Sequence, residues 1–216
     1  MKSRMMLVVF CLCLGNAFAA ADTVYENGPV SGDYIAWRID NSNAVSNSFT
    51  VSGGNSTING LSVWVDIFMT DHNPSAEVVI SSQSEGGGTV YFDQMEQFSS
   101  ETNCYADLWG FNLCQETATW TGGPTLPNGT YWVTLRHGSV PSGGIFGWDE
   151  NFGFACHSTG CPSQAFAHGV GTIPSEAFTI LGTSGDNKDS PPKTTGLLMF
   201  GTGFFGLVGI VRQTLS

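Results

Sequence analysis

The chain has 216 residues and carries 18 acidic against 7 basic side chains, a net charge of −11. Residues 20–185 hold only two of the basic side chains, Arg38 and Arg136, against sixteen acidic ones, a net of −14. A surface of that sign repels phosphate backbones and anionic lipid headgroups, which excludes nucleic acid as a partner.

The first predicted element is a signal peptide over residues 1–19. Lys2 and Arg4 form a positive start, residues 5–15 an apolar run, and Ala17-Phe18-Ala19 a small-x-small cleavage site. The protein is therefore expected to leave the cytoplasm. Cys11 and Cys13 follow Phe10 and Leu12. A lipidated cysteine follows a small residue, so no lipid anchor is expected there.

Residues 20–182 suit one domain with a sizeable core. Strands are expected at 34–39, 48–51, 61–68, 77–81, 89–92, 117–120, 129–136 and 176–181. In "LSVWVDIF" Val63, Val65 and Ile67 share one face, and Trp64, Asp66 and Phe68 the other. In "GTYWVTLR" Tyr131, Val133 and Leu135 oppose Trp132, Thr134 and Arg136. Gly, Pro and Asn clusters at 27–29, 52–55, 86–88, 122–124 and 127–129 punctuate these runs. No stretch of the domain keeps helical spacing for three turns. The pattern predicts an all-β fold, an antiparallel β-sandwich of jelly-roll type, with a closed barrel as the alternative.

Four cysteines remain after signal removal. An even count in an exported chain reads as disulfides, and the short spacings favour Cys104–Cys114 and Cys156–Cys161. Residues 183–193 are polar and read as a linker. Residues 194–212 then form an apolar, glycine-rich segment, "TTGLLMFGTGFFGLVGIVR". As a helix residues 196–211 would be about 24 Å long at ~1.5 Å per residue, or about 27 Å with Thr194 and Thr195. A bilayer core is about 30 Å, so a single membrane span is expected. Arg212 marks the cytoplasmic side, leaving 213–216 as a cytoplasmic tail.

This order of elements resembles bacterial proteins of the PEP-CTERM class. That class carries a Pro-Glu-Pro motif, a spanning helix and a basic end, and is handled by the membrane protease exosortase. "LMFGTGFFGLVGIVR" carries the resemblance. Pro191, Pro192 and Lys193 stand where the class has Pro-Glu-Pro, and Arg212 stands alone where it has several basic residues. A permanent membrane anchor is the alternative to sorting. Upstream, "YENGPVSG", "LPNGTYWVTL", "WDEN" and "GTIPSEAFTILG" are similar to a domain often carried by such proteins. The resemblance implies export to the membrane facing the periplasm, then to the cell surface or an exopolysaccharide matrix. It implies an exosortase-like protease as partner and no established enzyme activity.

Trp148-Asp149-Glu150-Asn151 is the stretch richest in chemistry. An aromatic face beside polar groups suits a glycan. Carboxylate and amide oxygens suit calcium. A buried Trp148 at a strand end is the structural alternative. Adjacent Asp149 and Glu150 on a strand face opposite ways, so they do not form the carboxylate couple of a glycoside hydrolase. A distant acid such as Asp66 or Glu77 would have to complement one of them. Cys156, His157, Cys161 and His168 have zinc-ligand chemistry, but in an oxidising compartment a disulfide with loop histidines is favoured. His72 and His137 lie beside turn residues, where solvent exposure accounts for them. No nucleophile elbow or phosphate-binding glycine loop is present. The expected protein is a non-enzymatic surface or matrix protein, with a glycan-binding module and, after it, a secreted hydrolase as alternatives.

Overall fold

The computed structural model describes residues 21–30, 35–68, 71–106, 111–151 and 163–185. The expected signal peptide, the Cys156–Cys161 pair, the Pro191-Pro192-Lys193 motif, the 194–212 segment and Arg212 lie outside the described residues. Among the described residues no helix is long and apolar enough to cross a membrane.

Fourteen strands are described: β1 (Asp22–Glu26), β2 (Ala36–Arg38), β3 (Ala44–Val51), β4 (Ser56–Phe68), β5 (Ser75–Ser81), β6 (Val90–Gln97), β7 (Ser100–Ala106), β8 (Phe111–Thr119), β9 (Thr125–Leu126), β10 (Gly129–Ser139), β11 (Phe146–Asp149), β12 (Ala165–Ala167), β13 (Gly171–Ile173) and β14 (Phe178–Ser184). All strand pairings are antiparallel. They form two sheets. The first is organised around β4, with β14 and β11 pairing along one edge and β9 and β8 along the other; β1, β2 and β7 flank these. The second runs β13-β12-β3-β10-β5-β6.

One core lies between the sheets, and strict alternation explains its composition. From the first sheet come Leu61, Val63, Val65 and Ile67 of β4, Phe146 and Trp148 of β11, and Phe178 and Ile180 of β14. From the second come Val45 and Phe49 of β3, Val78 and Ile80 of β5, and Val133 and Leu135 of β10. The outer face of β4 is covered in part: Trp64 stacks on Tyr105 of β7, and Phe68 on Phe111 of β8.

Cys104 of β7 is bonded to Cys114 of β8. Several boundaries differ from expectation. β14 runs through Thr183 and Ser184, two residues into the expected linker, because both pair with β4 at Thr57 and Ser56. β2 is three residues long, not six. At β14's start, residue 176 makes only an isolated bridge before the regular ladder begins.

Candidate functional site

The Trp148–Asn151 stretch does not form one ligand-binding surface. Its four residues are all buried. Trp148 faces the core, where its ring packs edge-on against Phe178 and its indole N–H donates to the Ala177 carbonyl at 3.1 Å. A sugar needs an open aromatic face, and Trp148 is 0% exposed. By alternation Glu150 shares the inward side with Trp148 and Asp149 points the other way. Trp37 of β2, opposite Trp148, confirms the side: its Nε1 donates to Glu150 Oε1 at 2.7 Å.

What the sequence did not reveal is the residue placed beside Glu150. An isolated antiparallel bridge sets Glu150 against Glu176, which is 0% exposed. Main-chain bonds lock the two segments together: Asn151 N donates to Ser175 O at 2.6 Å, and Ala177 N to Asp149 O at 2.9 Å. Asn27 clips this junction from a third segment, donating through Nδ2 to Glu176 O at 2.6 Å and to Ser175 Oγ at 3.3 Å. Gly28 follows at φ +89°, a left-handed conformation that L side chains rarely adopt. A Cβ there would also sit 2.8 Å from Asn151 Nδ2, so glycine is needed twice over. Across the core, Asn47 of β3 accepts the Glu176 N–H on its Oδ1 at 3.0 Å and the Ser163 hydroxyl at 3.4 Å. Segments 25–30, 148–151 and 171–182 thus meet here.

The electrostatics of this junction are unusual for a protein interior. Burial, then the charges of Glu150 and Asp149, push the Glu176 carboxyl well above the ordinary carboxylate range. The two arginines of residues 20–185 are engaged elsewhere. Arg38 holds Asp40 through two bonds of 2.9 and 2.8 Å. Arg136 holds Glu77 at 2.6 Å and approaches Asp93 at 3.7 Å.

A second constellation lies on the outer face of the other sheet. A cleft of about 390 Å³ is lined by Ser42, Asn43, Ala44, Glu85, Arg136, His137 and His168. The register of β10 slips between Arg136 and Ser139, and this bulge turns His137 out at φ +51°. Glu85 reaches the same cleft from the turn Ser84–Gly86, also at positive φ (57°), with its N–H on Ser46 Oγ. His137 Nδ1 lies 2.5 Å from Glu77 Oε2, and His168 Nδ1 lies 2.6 Å from Glu85 Oε1. Each carboxylate fixes its imidazole through Nδ1 and so leaves Nε2 for a ligand. The Arg136 guanidinium brings the Glu77 carboxyl down to about 2, against an opposing push from burial. Glu77 is therefore ionised; it stands behind His137 and does not itself line the cleft. It lies in the second sheet and the Asp149–Glu150 pair in the first, so it does not complement them. Asp66 lies on β4 opposite Gly147. His168 belongs to this cleft through Glu85; the other members of the suggested zinc set lie outside the described residues.

A third group sits at the β7–β8 edge. Glu116 is 0% exposed, and burial, followed by the neighbouring Glu101 charge, raises its carboxyl to about 7. His72 Nδ1 contacts Glu101 at 2.9 Å, which raises the imidazole pKa. Glu101 also approaches Cys104 and Cys114, but these two sulfurs are bonded to each other and supply no thiolate ligand.

Comparison with known proteins adds no relative: no family model, no curated protein and no solved structure matches this chain.

Proposed function

We propose that the chain is an exported cell-surface or matrix protein: a β-sandwich of jelly-roll type, delivered by a cleaved signal peptide and held by a C-terminal PEP-CTERM-like segment. The observation that carries this reading is the Cys104–Cys114 disulfide. It joins an exposed position on β7 to a buried one on β8, and such bonds persist in oxidising compartments. The absence of lysine from residues 20–185 and the strong negative charge agree with a soluble domain that avoids anionic surfaces. The role in this reading is non-enzymatic, in keeping with the class that the sequence resembles. Protease treatment of intact host cells tests it. The domain should be lost from whole cells without lysis; protection until the cells are broken open would place it inside.

A second reading, glycan binding at the same location, is favoured by the His137–His168 cleft rather than by Trp148. Its volume lies within the range of small-ligand pockets, about 300–1,000 Å³. Its two imidazoles, the Glu85 carboxylate, the Arg136 guanidinium, Asn43 and Ser42 offer both donors and acceptors to hydroxyl groups. Binding of host exopolysaccharide fragments, measured by calorimetry, should weaken at least tenfold in His137→Ala and His168→Ala. Equal binding by the variants would remove the cleft as the site.

A further inference from the structure

We propose that Glu150 and Glu176, side by side between the two sheets, hold a calcium ion that ties the β11 end, the 175–177 segment and the Asn27 segment together. The first observation is the pairing itself. Cross-strand partners bring their Cβ atoms to about 5 Å, close enough for two carboxylates to share one cation. The second is independent of it: both Glu176 carboxylate oxygens are buried and meet no hydrogen-bond donor among the described residues. A buried ionised carboxylate needs a compensating charge or donor.

The sequence supplies no compensating lysine or arginine. Outside Arg38 and Arg136, both already paired with carboxylates, every Lys and Arg of the chain lies before residue 5 or after residue 187. What remains for Glu176 is a proton or a cation. The surroundings favour a hard cation with oxygen ligands. Two carboxylates converge, backbone carbonyls of Asp149 and Ser175 lie in the paired segments, and amide side chains from Asn27 and Asn47 close the junction. Calcium accepts six to eight oxygens in flexible geometry, whereas magnesium holds its waters and fits a closed interior poorly. The ligand couple is therefore Glu150 with Glu176, drawn from two distant segments, and not Asp149 with its neighbour Glu150.

Terbium, a calcium surrogate that emits when a nearby indole is excited, provides the direct probe. Trp37 is hydrogen-bonded to Glu150 at 2.7 Å and serves as the built-in sensitiser. The intact purified protein should show saturable terbium emission under tryptophan excitation. Calcium should displace it at concentrations at least tenfold below those of magnesium. Glu176→Gln should reduce terbium affinity at least tenfold, while Glu26→Gln, on exposed β1, should leave it unchanged. Millimolar calcium should also raise the melting temperature of the wild type above that in chelator, and not that of Glu176→Gln. Absence of sensitised emission, or emission and calcium stabilisation that survive in Glu176→Gln, would overturn the site. A wild type indifferent to calcium, together with a Glu176→Gln variant that is more stable in chelator at neutral pH, would also overturn it: Glu176 would then be a protonated buried acid.

Discussion

Replacing Glu116 by glutamine should flatten part of the protein's pH dependence of stability. Glu116 points inward on β8, opposite Val63 of β4, and is paired across β7 with Glu101. Burial disfavours the charged form and the neighbouring Glu101 charge adds to this, so the folded state favours the neutral acid. Its carboxyl moves from the ordinary 4.5 up to about 7. The sign follows from linkage. A carboxyl whose folded pKa is raised contributes its full stability below the unfolded value and loses it as the pH rises through the folded one. The window is thus pH 4.5 to about 7. At about 1.4 kcal/mol per pKa unit the ceiling is roughly 3 kcal/mol. The exposed His72–Glu101 contact beside it admits solvent, and screening reduces the expected effect to about 2 kcal/mol. For a domain of this size that is about 4–8 °C in melting temperature. The assay is urea unfolding of wild type and Glu116→Gln at pH 4.5 and pH 8, with chelator present. Any packing cost of the amide enters equally at both pH values, so the difference of differences isolates the charge. It should favour the variant at pH 8 by about 2 kcal/mol. An identical stability gap at the two pH values would refute the burial argument.

The Cys104–Cys114 bond closes a short loop, with a sequence separation of 10, and on the chain-entropy model contributes about 2–3 kcal/mol. A Cys104→Ser, Cys114→Ser variant should unfold at correspondingly lower urea; unchanged stability would mean that the denatured chain is not constrained by the bond. Trp148→Ala should cost about 3–5 kcal/mol, measured by the same method, because the ring is wholly buried against Phe178. A cost near zero would contradict its place in the core.

Alternation explains which parts of the fold were legible. Residues 129–136 alternate clearly and residues 61–68 less so, because Trp64 and Phe68 are apolar on the outer face, and both runs are central strands. β11 was legible only as a strand end with a buried Trp148, since Phe146, Gly147, Trp148 and Asp149 are all buried and leave no polar-apolar rhythm. β12 and β13 are three residues each, and β7 is dominated by polar side chains, so none carries a hydrophobic period. The "WDEN" stretch drew attention by composition, and the adjacent acids do face opposite ways. Its partner Glu176 lies 26 positions away, and a cross-strand contact at that distance has no local signature. His137 was read as an exposed residue near a turn. Its exposure is correct, but a bulge in β10 aims it at Glu77, and bulges place no fixed demand on sequence.

Export of the chain is tested most directly by the intact mass of the protein isolated from its host without reductant. The mass should lack residues 1–19, should be lower by two hydrogens for each disulfide, and should end within residues 189–195, where Pro191 and Pro192 favour an extended, cleavable backbone. A mass retaining residues 196–216 in detergent-extracted protein would mean a permanent anchor and remove only the sorting step. A mass that keeps residues 1–19, from soluble cytoplasm and with Cys104 and Cys114 both alkylated as free thiols, would contradict the account.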